Sequence, residues 1–216
     1  MNLLIIMQQL LSGMVITVEI FVFTLLFSLP LGLVVAFGRM SKNGLIKTIT
    51  KVYISIMRGT PLMLQLIVVY FGPTYVFHIK IGAGYRMVAV IIGFTLNYAA
   101  YFAEIFRSGI ESMEVGQYEA AHILGYTKVQ TFAHIIFPQV IKRILPPVTN
   151  EVITLVKDTS LAFVLAVAEM FTIAKQIAAA QATVIPLMVG GVFYFIFNFV
   201  VAWGMEQIEK KLSYYR

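Results

Sequence analysis

The stretch Ile185–Met205, "IPLMVGGVFYFIFNFVVAWGM", runs for 21 residues without a charged side chain. A helix that crosses the hydrocarbon core of a bilayer needs about 20 mainly apolar residues. The stretch therefore predicts a membrane-spanning helix. The whole chain agrees, because 60% of its 216 residues are hydrophobic and only 12% are charged, whereas soluble domains are about half apolar and about one quarter charged.

Two other segments are nearly continuous spans. Gly13–Gly38 contains one acid, Glu19, and Met87–Arg107 contains one inner charge, Glu104. The residues before Gly13 include no Lys or Arg, so they lack the basic region of a cleaved signal peptide. We expect a short amphipathic lead-in followed by an uncleaved span.

Two more spans are interrupted by polar groups. The first lies within 49–77 and breaks at 58–61, where Thr60 is predicted to cap a new helix that begins at Pro61. The second covers 146–171 and is predicted to break at 157–160. These patterns predict an all-α integral membrane protein with five transmembrane helices in a single domain, 1–216.

The basic residues are distributed unevenly between the two sides of these spans. If the N-terminus lies outside, the inner loops hold 12 of the 16 basic residues, namely Arg39, Lys42, Lys47, Lys51, Arg58, Arg107, Lys128, Lys142, Arg143, Lys210, Lys211 and Arg216. The outer loops hold Lys80, Arg86 and Lys175. Positive charge marks the cytoplasmic side of a membrane protein. We therefore place the C-terminus in the cytoplasm and attribute the net charge of +6 to orientation, not to nucleic-acid binding.

The inner loop between the third and fourth spans contains "EAAHILGYTKVQTFAHIIFP", residues 119–138. Residues 117–124 are compatible with a helix, and Gly125 can take the left-handed conformation that ends one. Thr127 is then a candidate N-cap of a second helix, and Pro138 redirects the chain into the membrane. A plain connecting loop is the alternative, and the local pattern alone does not decide between the two.

The spacing in this loop resembles the EAA motif of ATP-binding-cassette (ABC) importer permeases. That motif reads E-A-A, three residues, Gly, nine residues, Ile, one residue, Leu, Pro. Here Glu119-Ala120-Ala121 is followed by Gly125, Ile135 and Phe137-Pro138, so that Phe replaces Leu at one position.

Other stretches resemble the polar-amino-acid branch of the same family, and together the similarity extends from about residue 40 to the C-terminus. They are "RGTPLMLQLIVVYFG" (58–72), "NYAAYFAEIFRSGI" (97–110), "GQYEAA" (116–121), "LPPVTNEVITLVKDTSL" (145–161) and "KKLSYYR" (210–216). The resemblance implies a type I permease (MetI-like) fold with a cytoplasmic coupling helix in the loop at about 115–138. It also implies a multi-pass protein of the bacterial inner membrane.

The resemblance further implies a mechanism and a set of partners. Two cytoplasmic ATP-binding subunits would bind ATP and Mg and would drive alternating access in two permease subunits, identical or paralogous. An extracytoplasmic binding protein would deliver a polar amino acid. Glu119, Ala120 and Ala121 would dock on the ATPase, and Gly125 would permit the turn. The chain contains no G-x-x-x-x-G-K-[ST] motif, so we expect neither ATPase activity nor a cofactor of its own.

Ionisable groups inside spans are costly and by default suggest functional sites. Asp158, Thr159 and Ser160 favour helix N-caps, and a helix broken inside the membrane can offer its N-terminus to a substrate carboxylate while Asp158 takes the ammonium. The alternative is that Asp158 only caps the second half-helix and pairs with Lys157. We predict substrate contact at these three residues.

A second candidate wall of the substrate cavity lies on the third span. Asn97 and Glu104 are seven residues apart and share a helix face, although an ion pair of Glu104 with Arg107 is the simpler interpretation. The family often has a small residue after this Asn, and here Tyr98 brings the substrate's size into question. By resemblance, three residues after the first break also approach the substrate: Thr60, Met63 and Leu64.

Two other function classes and a metal site find less support in the sequence. A self-contained carrier or channel usually has two repeats and more spans, and a scaffold protein would not need ionisable groups around a broken span. The histidines at 78, 122 and 134 are scattered, so we predict no metal site. Glu19 and Glu169 lie toward the outer half, and we assign neither of them a role.

Overall fold

The computed structural model describes residues 3–82 and 84–212. Within these ranges the chain forms nine α-helices: α1 Leu3–Arg39, α2 Gly44–Gly59, α3 Leu62–Phe77, α4 Tyr85–Glu111, α5 Val115–Ile123, α6 Lys128–Gln130, α7 Phe137–Asp158, α8 Met170–Gln181 and α9 Ile185–Leu212. A π-helical turn, Thr131–Ile136, joins α6 to α7, and a 3₁₀ helix, Thr159–Leu165, follows α7. Arg216 and the end of the stretch 210–216 lie outside the described residues.

Three of these helices, α1, α4 and α9, are long and apolar enough to cross a membrane. Two further spans are possible if each bent pair counts as one crossing. In the first pair α2 and α3 meet at 113°, and in the second the segment from α6 through the 3₁₀ helix meets α8 at 57°. The described part of the chain is therefore helical throughout its membrane-spanning segments, as predicted, and holds three to five spans.

Helix α1 differs from the expected lead-in and span because the two form one helix. Its 37 residues extend about 55 Å at 1.5 Å per residue, well beyond a hydrocarbon core of about 30 Å. The extra length has a packing role: Ile6 and Leu10 are buried against Met170 and Ala174 of α8. The first turns of α1 and helix α8 thus share a small apolar cluster of their own.

Helix α4 lies at the centre of the main core. Its aromatic residues Phe94, Tyr98 and Phe102 are almost completely buried, and α1 runs alongside it. Gly32 permits this approach, since a Cβ on it would lie 2.8 Å from the Cβ of Phe102. By contrast, α9 turns large apolar residues such as Phe195 outward, as expected of a helix that faces lipid or a partner chain.

The break between α2 and α3 lies where the sequence predicts it, but Thr60 is not the N-cap. Thr60 follows the last residue of α2, and its hydroxyl donates back to the carbonyl of Ile56 at 2.8 Å. Pro61 occupies the N-cap position of α3, which has no side-chain cap hydrogen bond. Thr60 therefore closes the first helix instead of opening the second.

Helix α7 ends at Asp158, within the predicted break at 157–160, but the bend in the chain comes only after Leu165. The hydroxyls of Thr159 and Ser160 donate to the carbonyls of Val156 and Lys157, each at 2.7 Å, and the chain continues as a 3₁₀ helix. Because these hydroxyls satisfy carbonyls at the end of α7, they do not cap a new helix. The chain turns later, at Ala166, which adopts a left-handed conformation with φ 51°.

Candidate functional site

An amide network holds the elbow between α2 and α3. The Gln65 side chain donates to the carbonyls of Met57 and Thr60, at 3.0 and 3.1 Å, and to the Thr60 hydroxyl at 2.8 Å. Asn97 of α4 donates to the same Met57 carbonyl at 3.0 Å and to Gln65 Oε1 at 2.9 Å. Asn97 is buried, and its donors are engaged by the elbow. It braces the elbow and presents no free donor to a ligand.

Glu104 lies at the meeting point of three helices. It accepts two hydrogen bonds from Arg107, at 3.2 and 2.7 Å, which confirms the expected ion pair. Arg39 at the end of α1 and Arg58 near the end of α2 each approach it to 4.0 Å. A carboxylate among three guanidinium groups ties the inner ends of α1, α2 and α4 together.

Beside this cluster lies a cavity of about 420 Å³ between α4 and α7. Most of the charged and aromatic residues that line it lie on α4 and α7. The full lining is Arg58, Tyr101, Glu104, Ile105, Arg107, Ser108, Gly109, Ser112, Arg143, Ile144, Pro147 and Glu151. Arg58 stacks over the Tyr101 ring, 5.3 Å from its centroid. The cavity therefore offers both carboxylate and guanidinium groups to a ligand.

Asp158 is half-buried about two helical turns beyond Glu151 on α7. Its Oδ2 atom accepts a hydrogen bond of 2.7 Å from the hydroxyl of Tyr98. Tyr98 is 2% exposed and packs against Tyr101, with ring centroids 6.3 Å apart. Asp158 is thus linked through Tyr98 to Tyr101, which lines the cavity. The phenol at position 98 fills space next to the carboxylate, and Asp158 does not act as a helix cap.

Of the eight predicted substrate residues, Glu104 alone lines this cavity. Asn97, Thr60, Thr159 and Ser160 use their polar groups in the hydrogen bonds described above, while Met63 is half-buried and Leu64 is exposed at the elbow. The lining residues that sequence reasoning missed include Tyr101, Ser108, Arg143 and Glu151. The signal was present, because polar residues at 97, 101, 104 and 108 recur every three or four positions along a span.

The loop between α4 and α7 is organised as predicted, with a helix, a glycine turn and a second helix. Gly125 has φ +80° and donates to His122 O, while Tyr126 donates to Ala121 O, both at 3.0 Å. These two bonds form the Schellman motif that ends helices. Thr127 and Gln130 then form a capping box at α6. The loop therefore has a defined conformation and is not a plain connection.

Helix α5 has one buried side and one exposed apolar side. Val115, Glu119 and Ile123 are spaced four residues apart, so they share a face. All three are exposed, and Ile123 is 85% exposed. Ala120 is also exposed, whereas Ala121 is 1% exposed and packs inward. We define Val115, Glu119 and Ile123 as the docking stripe.

Two features mark the inner side of α5. Ala121, which is 1% exposed, supports the helix from its buried side. Partial burial raises the pKa of the Tyr118 phenol. The exposed side is thus free for a partner, while the other side is fixed.

Comparison with known proteins places these features in a family. Residues 28–214 match the family model described as binding-protein-dependent transport system inner membrane component. A probable amino-acid ABC transporter permease protein of Bacillus subtilis, YckA, is 40% identical over 86% of this chain and 80% of its own length. A putative glutamine transport system permease protein of Rickettsia bellii, GlnP, is 33% identical over 93% of this chain and 91% of its own.

A solved structure agrees with the sequence relatives. The crystal structure of an amino acid ABC transporter with histidines superposes with a TM-score of 0.85 at 30% identity, over 95% of this chain and 94% of that one. The match supports the MetI-like fold. The match to permease subunits of ABC transporters argues against the alternative that the chain is a self-contained carrier. The chain belongs to the family of binding-protein-dependent transport system inner membrane components, the permease subunits of ABC importers, which are not themselves ATPases.

Proposed function

We propose that this permease imports a polar amino acid by alternating access. The cavity between α4 and α7 carries the proposal, because it offers opposite charges within one space, as a zwitterion requires. Among the lining residues, Arg58 and Arg143 suit a substrate carboxylate and Glu151 suits an ammonium group. Asp158, which Tyr98 connects to the lining residue Tyr101, offers a second carboxylate. The proteins that this chain resembles are named for amino acids in general and for glutamine, and one was solved with histidines.

Asp158 retains a place in this proposal although it does not line the cavity. One of its oxygens is occupied by the Tyr98 hydroxyl, which orients the carboxylate and leaves the other oxygen for a cargo ammonium. Glu104 has a different role from the one expected, because Arg107 neutralises it. It fixes the arginines Arg39 and Arg58 around the inner end of the cavity.

The energy would come from partner proteins. Two cytoplasmic ATP-binding subunits bind ATP and Mg. Each of them contacts the docking stripe of one of two permease subunits. An extracytoplasmic binding protein releases the amino acid to the outer side. The N-terminus lies outside and the C-terminus lies in the cytoplasm, as the basic residues of the inner loops favour. Exposed apolar residues beside Glu119 support this arrangement, since a water-facing helix without a partner would present polar groups there.

Charge reversal on the docking stripe tests the coupling proposal. Glu119→Lys is expected to release the ATP-binding subunits from the detergent-solubilised complex during purification. Glu114→Lys is the matched control, since Glu114 is also exposed but sits at the N-cap of α5, outside the stripe. Equal recovery of ATPase with both variants would show that the stripe is not the contact surface.

A neutral substitution at Asp158 tests the cargo site. Asp158→Asn keeps the shape and a hydrogen-bond acceptor but removes the negative charge. We expect loss of amino acid uptake in proteoliposomes while the ATP-binding subunits still co-purify. Tyr98→Phe, which removes the donor and keeps the charge, serves as the comparison and is expected to lower uptake less than Asp158→Asn does. Wild-type uptake by Asp158→Asn contradicts the assignment.

A further inference from the structure

The junction between the cytoplasmic loop and α7 has an unusual backbone. Pro138 lacks an N–H group and so cannot bond to the carbonyl four residues before it. The residues before it form the π-helical turn Thr131–Ile136, in which the Phe137 N–H donates to the carbonyl of Phe132, five residues earlier. Such turns are rare and occur often at functional positions.

A pair of glutamines crosses this junction. Gln117 Nε2 of α5 donates to Gln139 Oε1 at 2.9 Å, and Gln139 Nε2 of α7 donates to Gln117 Oε1 at 2.6 Å. Gln139 Nε2 also donates to the carbonyl of Ile135 at 2.7 Å. Both side chains are half-buried. A reciprocal amide pair has one preferred relative orientation, so it fixes α5 against α7 in both distance and angle.

One turn further along α7, a second contact supports the same arrangement. Arg143 donates to the carbonyl of Ser112 at 2.6 Å, which places a positive charge at the C-terminal end of α4. Only residues 113 and 114 separate Ser112 from α5. The first two turns of α7 therefore hold both the end of α4 and the following helix α5.

We propose that the Gln117–Gln139 pair is a strut that makes α5 and α7 move as one body when the ATP-binding subunits displace the docking stripe. The inference rests on the proposed function, because it assumes that α5 receives the motion. Helix α7 carries Glu151 to the cavity wall and ends at Asp158. The strut thus connects the docking stripe with the residues proposed to hold cargo, and Gln117 and Gln139 are positioning residues for transport.

Alanine variants of the strut separate coupling from assembly. Gln117→Ala and Gln139→Ala are expected to retain the ATP-binding subunits and their ATP hydrolysis. Each loses the two interhelical hydrogen bonds, and uptake per ATP hydrolysed is expected to fall about tenfold. Gln139→Ala is expected to show the larger loss, since it also frees the Ile135 carbonyl. Gln207→Ala, an amide on α9, is the control and is expected to match the wild type.

The double variant and a charged replacement refine this test. Gln117→Ala with Gln139→Ala is expected to be no worse than Gln139→Ala alone, because both remove one shared interaction. Gln117→Glu with Gln139→Lys is expected to restore uptake per ATP, since a lysine can donate both to the new carboxylate and to Ile135 O. Unchanged uptake per ATP in both single variants overturns the strut. A parallel loss of uptake, hydrolysis and thermal stability also overturns it, because this pattern indicates only structural support.

Cross-linking provides an independent test, because the chain contains no cysteine. Two facing glutamines separate their helices by more than a disulfide spans, so Gln117→Cys with Gln139→Cys is to be joined by a short bifunctional thiol reagent. Before cross-linking, the double-cysteine complex is expected to show low uptake per ATP hydrolysed. After cross-linking, it is expected to regain the wild-type uptake per ATP hydrolysed. If cross-linking blocks transport, α5 and α7 must separate during the cycle and the proposal is wrong.

The outcomes also distinguish the strut from the function on which it rests. If Glu119→Lys fails to release the ATP-binding subunits, the docking assignment is at fault. If Glu119→Lys releases them while the strut variants transport normally, docking is correct and the strut alone is excluded.

Discussion

Glu169 offers a quantitative test of the fold, because it is a completely buried acid to which the sequence assigned no role. It is the N-cap of α8 and accepts from the backbone N–H groups of Phe171 and Thr172, at 2.6 and 2.7 Å. It also accepts from the hydroxyls of Thr172 at 2.7 Å and of Tyr194 in α9 at 3.1 Å. Glu169→Ala removes all four bonds at once.

The expected cost follows from these contacts. Loss of an N-cap costs about 1 kcal/mol, and a buried donor left without an acceptor costs about 1–3 kcal/mol. Tyr194 loses this acceptor, whereas the Thr172 hydroxyl can rotate toward a helix carbonyl. We therefore expect Glu169→Ala to lower the free energy of unfolding by about 3 kcal/mol, or the melting temperature by about 6–12 °C for a chain of this size.

The assay is thermal unfolding of the detergent-solubilised protein, followed by size-exclusion chromatography of the fraction that survives heating. Glu19→Ala is the matched control, since Glu19 carries the same charge on an exposed position of α1. Tyr194→Phe removes one of the four bonds and is expected to fall between that control and Glu169→Ala. A melting temperature for Glu169→Ala equal to that of Glu19→Ala would falsify the capping argument.

Two further predictions concern glycines. In Gly13→Ala the new Cβ would lie 2.8 Å from the Cα of Met170, so we expect overpacking between α1 and α8 to lower the free energy of unfolding by about 1–3 kcal/mol. Gly191→Ala, with open space around it, is expected to leave the melting temperature unchanged. Equal melting temperatures of the two variants would contradict this reasoning. Gly125→Ala forces a residue with a side chain to adopt φ +80°, at a cost of about 1–2 kcal/mol. We therefore expect less of the ATP-binding subunits to co-purify with Gly125→Ala than with the control Gly116→Ala. Equal co-purification would show that the turn is not required for docking.

The sequence predicted the membrane class and the organisation of the cytoplasmic loop because both depend on local properties. An uncharged stretch such as Ile185–Met205 has few alternatives to a membrane-spanning helix. Gly125 and Thr127 end and start helices through their own backbone and side-chain chemistry. For the same reason the break beside Pro61 was placed correctly. These features need only a few neighbouring residues.

The polar residues inside the bundle were predicted less well, because their roles depend on partners far away in the chain. The Asp158 carboxylate meets Tyr98, 60 residues earlier, and Asn97 is engaged by Gln65 across the elbow. A run of Asp, Thr and Ser has the same local signature whether it caps a new helix or closes an old one. For that reason the sequence did not show that the chain bends only after the 3₁₀ helix.

What the sequence alone determined is therefore the all-helical membrane class, the family and the helix–turn–helix organisation of the loop at 115–138. The tertiary structure decided which acids are buried, which polar groups line the cavity and how α5 is tied to α7. Glu19 and Glu169 look alike along the chain, yet one faces outward and the other caps α8 against α9. Burial and hydrogen-bond pairing arise only when helices distant in sequence come together, and in a medium without water each polar group must then find a partner.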